Sequence, residues 1–325
     1  MPLTLTPGRW RGLVTTSTNR RTFTVLAFDQ RGNYRQLLPP HATYDDAVQI
    51  KYEVVAALAP HTSAVLLDPD YGLKAALLGV GSSGLLMSIE ETGYSGDSTY
   101  RRTAFIPGWT VGKIRRMGAS AGKLLVYYHP DSGALAEETE ALVARVADEC
   151  HRHDLPLFVE PLSYSLDASV DRQSEAFAAT LPAVVWETAR RLSRSGADVL
   201  KLEFPVDAAH NSDPGAWRAA CEAISAVCAV PWVILSAGVD FPTFERQARI
   251  ACEAGASGFL GGRAIWKEAV SMSAAERFQF LAATRVDRLR RLAAIAENSA
   301  RPWTDFYDPP PPAEEWFETY APGEE

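Results

Sequence analysis

The chain is poor in the residues that announce metals, disulfides or membranes. Only four of its 325 residues are cysteines, Cys150, Cys221, Cys228 and Cys252, and none forms a C-x-x-C pair. Each falls in a helical pattern, so they read as small buried hydrophobes in a reducing compartment, not as bridges or ligands. The six histidines never take the H-E-x-x-H spacing of a metal-binding helix. His151 and His153 close a helical segment, where contact with the helix dipole and solvent suffices. No apolar run is long enough to cross a bilayer, and the start, MPLTLTPGRWRGL, lacks the apolar core of a secretory signal. No lysine or arginine tract occurs, and the net charge of −8 argues against a nucleic-acid surface. These absences lead us to expect a cytoplasmic protein with neither a nucleic-acid nor a membrane partner.

What is present is a repeat of short apolar runs alternating with amphipathic segments. The runs are TFTVLAFD (22–29), SAVLLD (63–68), SGLLMSIE (83–90), AGKLLVYY (121–128), LPLFVEPL (155–162), ADVLKLEF (197–204), VPWVILSAG (230–238) and SGFLGGRA (257–264). Between them lie helical patterns. Thr43 and Asp46 open YDDAVQIKYEVVAALA as a capping box, and EETEALVARVADECHRH stacks Leu142, Val146 and Cys150 on one face. EAFAATLPAVVWETARRLSRSG ends in basic residues and Gly196. Eight such units predict a single α/β domain, a (β/α)8 TIM barrel over residues 1–300 with strand one beginning near 22. A doubly wound open sheet is the competitor, because periodicity does not show closure. No G-x-G-x-x-G follows the first run, and polar residues recur at the run ends: Asp29, Asp68, Glu90, Glu160, Glu203, Ser236 and Arg263. Barrel enzymes place their chemistry there. The first 20 or so residues are an N-terminal extension covering the bottom or edge. The last helix spans about 274–298. Residues 301–325 form a proline-rich acidic tail with no packed element expected beyond Tyr307. Its Trp316, Phe317 and Tyr320 either dock on a neighbouring subunit or belong to a disordered tail.

The sixth run raises the chemical question, because Lys201 sits between Leu200 and Leu202. An ammonium is costly to bury without a partner. Strand alternation puts Leu200, Leu202 and Phe204 on one face and Val199, Lys201 and Glu203 on the other. The same rule groups Lys123, Leu125 and Tyr127, and groups Phe158, Glu160 and Leu162. If these mixed faces turn inward, two lysines and a glutamate meet inside the barrel. Desolvation and the neighbouring Lys123 would both favour a neutral Lys201 amine. Such an amine can attack a ketone and form a Schiff base, with Glu160 transferring the hydroxyl proton. The bland alternatives stay open: Lys201 in a structural salt bridge with Glu203 or Glu160, Lys123 reaching solvent, Glu160 as a loop residue before Pro161.

The last two runs end in glycine-bearing turns, LSAG (235–238) and GGRA (261–264). Backbone amides at Ser236, Gly238 and Gly262, with Arg263, would make a phosphate cradle. Ordinary tight turns are the competing reading. In FDQRG, Asp29 and Gln30 could hydrogen-bond substrate hydroxyls, Arg31 could meet a second anionic group, and a capping role is equally consistent. Asp68 reads as a turn-former before Pro69.

Taken together, VLAFDQRG (25–32), AVLLDPDYGL (64–73), GLLMSIEETGY (84–94), GKLLVYYHPD (122–131), LFVEPLSY (157–164), DVLKLEFPVD (198–207), PWVILSAGVD (231–240) and EAGASGFLGGRAIW (253–266) resemble the class I tagatose-1,6-bisphosphate aldolases. The last two segments also look very like the sulfofructose-1-phosphate aldolases. The resemblance implies a metal-free, cofactor-free lyase with Lys201 as the Schiff-base lysine and Lys123 and Glu160 as its second lysine and acid/base. It implies substrate contacts at Asp29, Gln30 and Arg31 and a phosphate cradle at Ser236, Gly238, Gly262 and Arg263. The substrate would be a ketohexose bisphosphate, or a sulfosugar phosphate, cleaved to dihydroxyacetone phosphate and an aldehyde. Two rivals remain: a metal-dependent aldolase, for which only His129 and His210 fall just past strand ends, and a non-catalytic sugar-phosphate sensor. A homo-oligomer is an open expectation.

Overall fold

All eight apolar runs become short parallel strands. The computed structural model describes residues 2–91, 97–318 and 320. After a two-residue strand β1 (Leu3–Thr4) come β2 (Phe23–Phe28), β3 (Ala64–Leu67), β4 (Gly84–Ser88), β5 (Ala121–Tyr127), β6 (Leu157–Leu162), β7 (Val199–Leu202), β8 (Trp232–Leu235) and β9 (Gly258–Gly261). Each of β2 to β9 pairs with the next, and β9 returns to β2 with Phe23 opposite Gly258. The sheet is therefore closed, a TIM barrel with its helices outside, and the open-sheet competitor falls. The strands are buried along nearly their whole length, as a parallel sheet covered on its outer face requires.

Local signals explain the helices. Thr43 caps Tyr44–Leu58, and Thr43 and Asp46 exchange both bonds of the capping box. The segment Glu175–Leu192 stays helical across Pro182. The last helical stretch is not one uniform rod: Ala274–Phe280 and Val286–Ser299 flank a π-helical turn at Leu281–Arg285. Cys150, Cys221 and Cys252 are buried and unbridged in helices, whereas Cys228 lies half-buried just past the end of Pro214–Val227.

The N-terminal helix, Pro7–Thr16, lies under the barrel, where Ser63 Oγ donates to Thr16 O at 2.8 Å. Residues near the C-terminus join it. β10 (Tyr307–Asp308) pairs in parallel with β1, and buried Trp303 meets Trp10 at 4.7 Å between ring centroids. The packed body therefore runs past residue 300, the boundary expected from composition. A helical turn, Trp316–Glu318, follows beyond Tyr307, and the Tyr320 hydroxyl donates to Asp154 of its own chain. Trp316 and Phe317 stay exposed. No helix among the described residues is long and apolar enough to cross a membrane.

Beneath β7, buried Asp198 organises this end. Its carboxylate accepts from Arg9, from the Leu157 amide at 2.8 Å, and pairs with His151 Nε2 at 2.9 Å. His151, expected to face the helix dipole and solvent, is thus part of a buried ion network.

Candidate active site

Inside the barrel the layers alternate in character. Phe23 of β2 and Phe158 of β6 meet edge to face with centroids 5.4 Å apart, forming an apolar floor. Strand alternation then turns the next inward positions into charges. Register places Val159 opposite Leu200, so Glu160 and Lys201 follow side by side. Leu125 lies opposite Glu160, and Lys123 two pairs below, opposite Phe158.

Lys123 Nζ sits 2.8 Å from Asp29 Oδ2, 2.8 Å from Glu90 Oε1 and 2.8 Å from Glu160 Oε2. Lys201 Nζ sits 2.8 Å from the same Glu160 Oε2. All five side chains are buried. The salt-bridge alternative for Lys201 thus narrows to Glu160, because Glu203 is engaged elsewhere. Glu160 Oε2 lies at ion-pair distance from both lysine Nζ atoms but off hydrogen-bond geometry, and Asp29 Oδ1 also has no hydrogen-bond partner among the described residues.

Electrostatics fixes two of these charges. Burial alone would drive the Lys123 ammonium to lose its proton, but Asp29, Glu160 and Glu90 outweigh it and hold its pKa well above the ordinary value. Burial would raise the Asp29 carboxyl, but Lys123 and then Lys201 outweigh it and hold it well below the usual carboxylate range. Lys123 was expected to act on Lys201 as a bare neighbouring cation. Its charge is instead met by three carboxylates, and Glu160 stands between the two amines.

Glu90 completes the cluster. Its Oε2 accepts from Leu125 N at 3.0 Å, fixing the carboxylate against Lys123. From sequence it was only one polar strand end among seven. Arg31 is buried, donates from Nη2 to Glu90 O at 2.7 Å, and has Asp70 3.7 Å from Nη1. It is turned toward two acids already in place, an arrangement that positions Glu90. Asp68 does form its turn, accepting from Tyr71 N at 2.8 Å, and its second oxygen pairs with fully buried Lys51. Lys51 also donates to Phe28 O at 2.8 Å and Gln30 O at 3.1 Å, the carbonyls that bracket Asp29. Its ammonium stands 4.6 Å from the Phe28 ring centroid and 4.9 Å from that of Tyr34. A sequence signal for it existed: Lys51 shares the buried stripe of Ala47, Val54, Val55 and Leu58.

Across the mouth, the turns after β8 and β9 approach one another. Gly262 N donates to Ser236 Oγ at 3.2 Å. Ala237 has φ 45° and Gly238 φ 88°, left-handed backbone that is uncommon for alanine and marks a site where the surroundings impose conformation. A side chain at Gly238 would stand 3.1 Å from Arg263 Cζ, and one at Gly262 would stand 3.4 Å from Gln30 Nε2. Ser236, Gly238, Gly262, Arg263 and Gln30 therefore converge, and Arg263 begins the helix Arg263–Val270. Burial, then the Arg172 cation, draws the Arg263 guanidinium below its usual pKa.

On the opposite wall, Glu203 accepts from Ser163 N at 2.7 Å and pairs with Arg172. Arg101 lies over the Tyr127 ring, its Cζ 5.1 Å from the centroid. A separate cavity of about 700 Å³ opens on the barrel flank between Tyr52, His61, Phe278 and Arg290; Arg277 there is tied to Glu53, and it is remote from the charged interior.

Comparison with known proteins bears on the family and the fold. Residues 23–268 match the model of a family described as DeoC/LacD family aldolase. Tagatose 1,6-diphosphate aldolase 1 of Streptococcus pyogenes serotype M3 is 34% identical over 304 residues, covering 86% of this chain and 93% of that protein. Tagatose 1,6-diphosphate aldolase 2 of the same serotype is 32% identical, covering 94% and 99%. Among solved structures, an archaeal fructose 1,6-bisphosphate aldolase superposes with a TM-score of 0.59 at 20% identity, covering 88% of this chain and 98% of that one. At that identity the likeness is one of fold.

Proposed function

Because this chain belongs to the DeoC/LacD family of aldolases, we propose that it is a class I, Schiff-base aldolase that cleaves a ketohexose 1,6-bisphosphate, with tagatose 1,6-bisphosphate the preferred sugar. The products are dihydroxyacetone phosphate and glyceraldehyde 3-phosphate. The observation that carries the reading is the buried Lys201 Nζ, 2.8 Å from a Glu160 oxygen that also faces Lys123. A purely structural pair would not need a carboxylate shared between two amines and left without an aligned donor.

The steps follow from the geometry. Glu160 takes a proton from Lys201, and the freed amine adds to the substrate's C2 carbonyl. Glu160 returns that proton to the carbinolamine hydroxyl, which leaves as water and gives a protonated imine; the imine draws electrons from the C3–C4 bond. Glu160 accepts the C4 hydroxyl proton as that bond breaks, and the aldehyde leaves. The remaining enamine is protonated at C3, and water hydrolyses the imine, releasing dihydroxyacetone phosphate and Lys201. Asp29, kept ionised by Lys123 and Lys201, accepts hydrogen bonds from substrate hydroxyls beside Gln30. Ser236, Gly238, Gly262 and Arg263 take the C1 phosphate.

Tagatose is preferred because the relatives that share a third of the sequence carry that name. Turnover should be compared for tagatose 1,6-bisphosphate, fructose 1,6-bisphosphate and 6-deoxy-6-sulfofructose 1-phosphate. The expected result is the highest kcat/KM on tagatose 1,6-bisphosphate. Cleavage of the sulfonated sugar alone would reassign the substrate. Tight binding of all three with no cleavage would make the protein a sensor.

A further inference from the structure

We propose that Arg172, held at the barrel mouth by Glu203, binds the anionic group at the substrate end far from the C1 phosphate and so selects doubly charged ketoses. The inference rests on the Schiff-base reading above for the placement of the sugar. A ketose joined to Lys201 through C2 has its C1 phosphate one carbon away on one side. Its C6 group lies four carbons away on the other. The cradle after β8 and β9 can hold only one of these. The second must be met across the mouth, above the ends of β5, β6 and β7.

Three arginines are candidates for that contact. Arg31 is buried, with Nη2 on Glu90 O and Asp70 3.7 Å from Nη1, on the side of the mouth formed by the loops after β3 and β4, away from β6 and β7. Arg101 stands over the Tyr127 ring. Arg172 comes from the loop after β6 and reaches Glu203, two residues beyond Lys201 on the chain. Glu203 is a rigid anchor, because it is buried and its other oxygen is fixed by Ser163 N at 2.7 Å. The Arg172 side chain is 49% exposed, so the anchored guanidinium is still reachable from solvent. Its contact with Glu203 runs through Nη2, and a guanidinium has five donors in a fixed fork, enough for a carboxylate and an anion together.

The charges around it favour the same reading. Arg172 is within electrostatic reach of Arg263 on the facing wall and of Tyr127 beneath Arg101. Gathering like charges is unfavourable by itself. Two guanidinium groups that close suit an anion lying between them.

The test uses the intact protein and the variants Arg172→Gln, Arg172→Lys and Arg101→Gln. For Arg172→Gln, kcat/KM on ketohexose 1,6-bisphosphate should fall about 10- to 100-fold, mostly through KM. On ketohexose 1-phosphate the change should stay below about threefold, since no distal anion is present. Arg172→Lys should lie between, keeping charge without the fork. Binding of hexitol 1,6-bisphosphate, which has no carbonyl and forms no imine, should weaken by the same factor, with hexitol 1-phosphate unaffected. That binding arm reads Arg172 even if no imine forms at Lys201, so failure of the proposed function is told apart from failure of this inference. Equal losses on both substrate lengths, no loss on either, or a selective loss in Arg101→Gln alone would overturn it.

Discussion

The two ends of the barrel each bury a cluster of charges, and the clusters differ in how completely they are satisfied. Below β7, Asp198 has both oxygens engaged, by Arg9, His151 and the Leu157 amide, and Asp154 accepts from Thr6, Gly8, Arg9 and Tyr320. None of these side chains leaves a buried polar atom without a hydrogen-bond partner among the described residues. At the mouth, Asp29 Oδ1, Gln30 Oε1, Glu160 Oε2 and two Arg31 nitrogens are buried without one. An unsatisfied buried polar atom costs about 1–3 kcal/mol, so a fold retains several in one place only where something else compensates. The lower cluster is complete and serves stability. The upper cluster keeps unmet hydrogen-bonding capacity, as the proposed catalytic role requires.

That contrast can be broken or sharpened by substitution. The largest effect should come from Lys201→Met, which should lower kcat by about 10⁵-fold or more while leaving the fold intact; assays of turnover alongside thermal unfolding test both halves. Glu160→Gln should lower kcat by about 10²- to 10⁴-fold, slowing imine formation at Lys201 as well as C3–C4 cleavage. Asp198→Ala should do the reverse. It strands Arg9 and His151, so denaturant unfolding should show a loss of about 3–5 kcal/mol, with kcat per folded molecule within a few fold of the parent. A drop in kcat comparable to that of Glu160→Gln would erase the distinction between the two ends.

A smaller effect concerns pH. Burial would raise the Asp198 carboxyl, but the His151 bond, Arg9 and the Leu157 amide outweigh it and hold it below the ordinary value. Its stabilisation is therefore present above the unfolded carboxyl pKa and is lost as pH falls through the folded one. The difference in Tm between the parent and Asp198→Asn should narrow from about pH 6 to about pH 3. For Lys123, whose pKa is raised, the sign is opposite. Its contribution is complete below the unfolded lysine pKa and is lost only as pH rises through its folded value. The smallest expected effect is from metal removal: turnover should survive a strong chelator.

Much of the site was legible because strand alternation is a strict rule. Lys123, Glu160 and Lys201 could be placed on inward faces from their own strands, and they do meet. Which oxygen faces which amine depends on stagger between strands, which no single strand encodes. Hence Glu160 emerged as a bridge between lysines, and Glu90 as the third carboxylate, only in three dimensions. For Arg31 the sequence offered an anion contact, but not that Nη2 would be spent on Glu90 O while Nε and Nη1 keep no hydrogen-bond partner among the described residues. Lys51 was missed because a lysine on an amphipathic helix usually marks the solvent face, and its position in the apolar stripe was the overlooked sign. Composition marks a tail from residue 301 with packing no further than Tyr307; Trp303 and Tyr307 are indeed buried beneath the barrel, but the helical turn Trp316–Glu318 and the Tyr320–Asp154 bond lie beyond that limit.

Three lysines are buried in this chain, Lys51, Lys123 and Lys201, and the account requires one of them to react. Borohydride reduction in the presence of dihydroxyacetone phosphate, followed by peptide mass spectrometry, tests that directly. The predicted result is a reduced adduct on the peptide bearing Lys201, with Lys51 and Lys123 unmodified. An adduct on Lys123, or none on any lysine under conditions that support turnover, would contradict it.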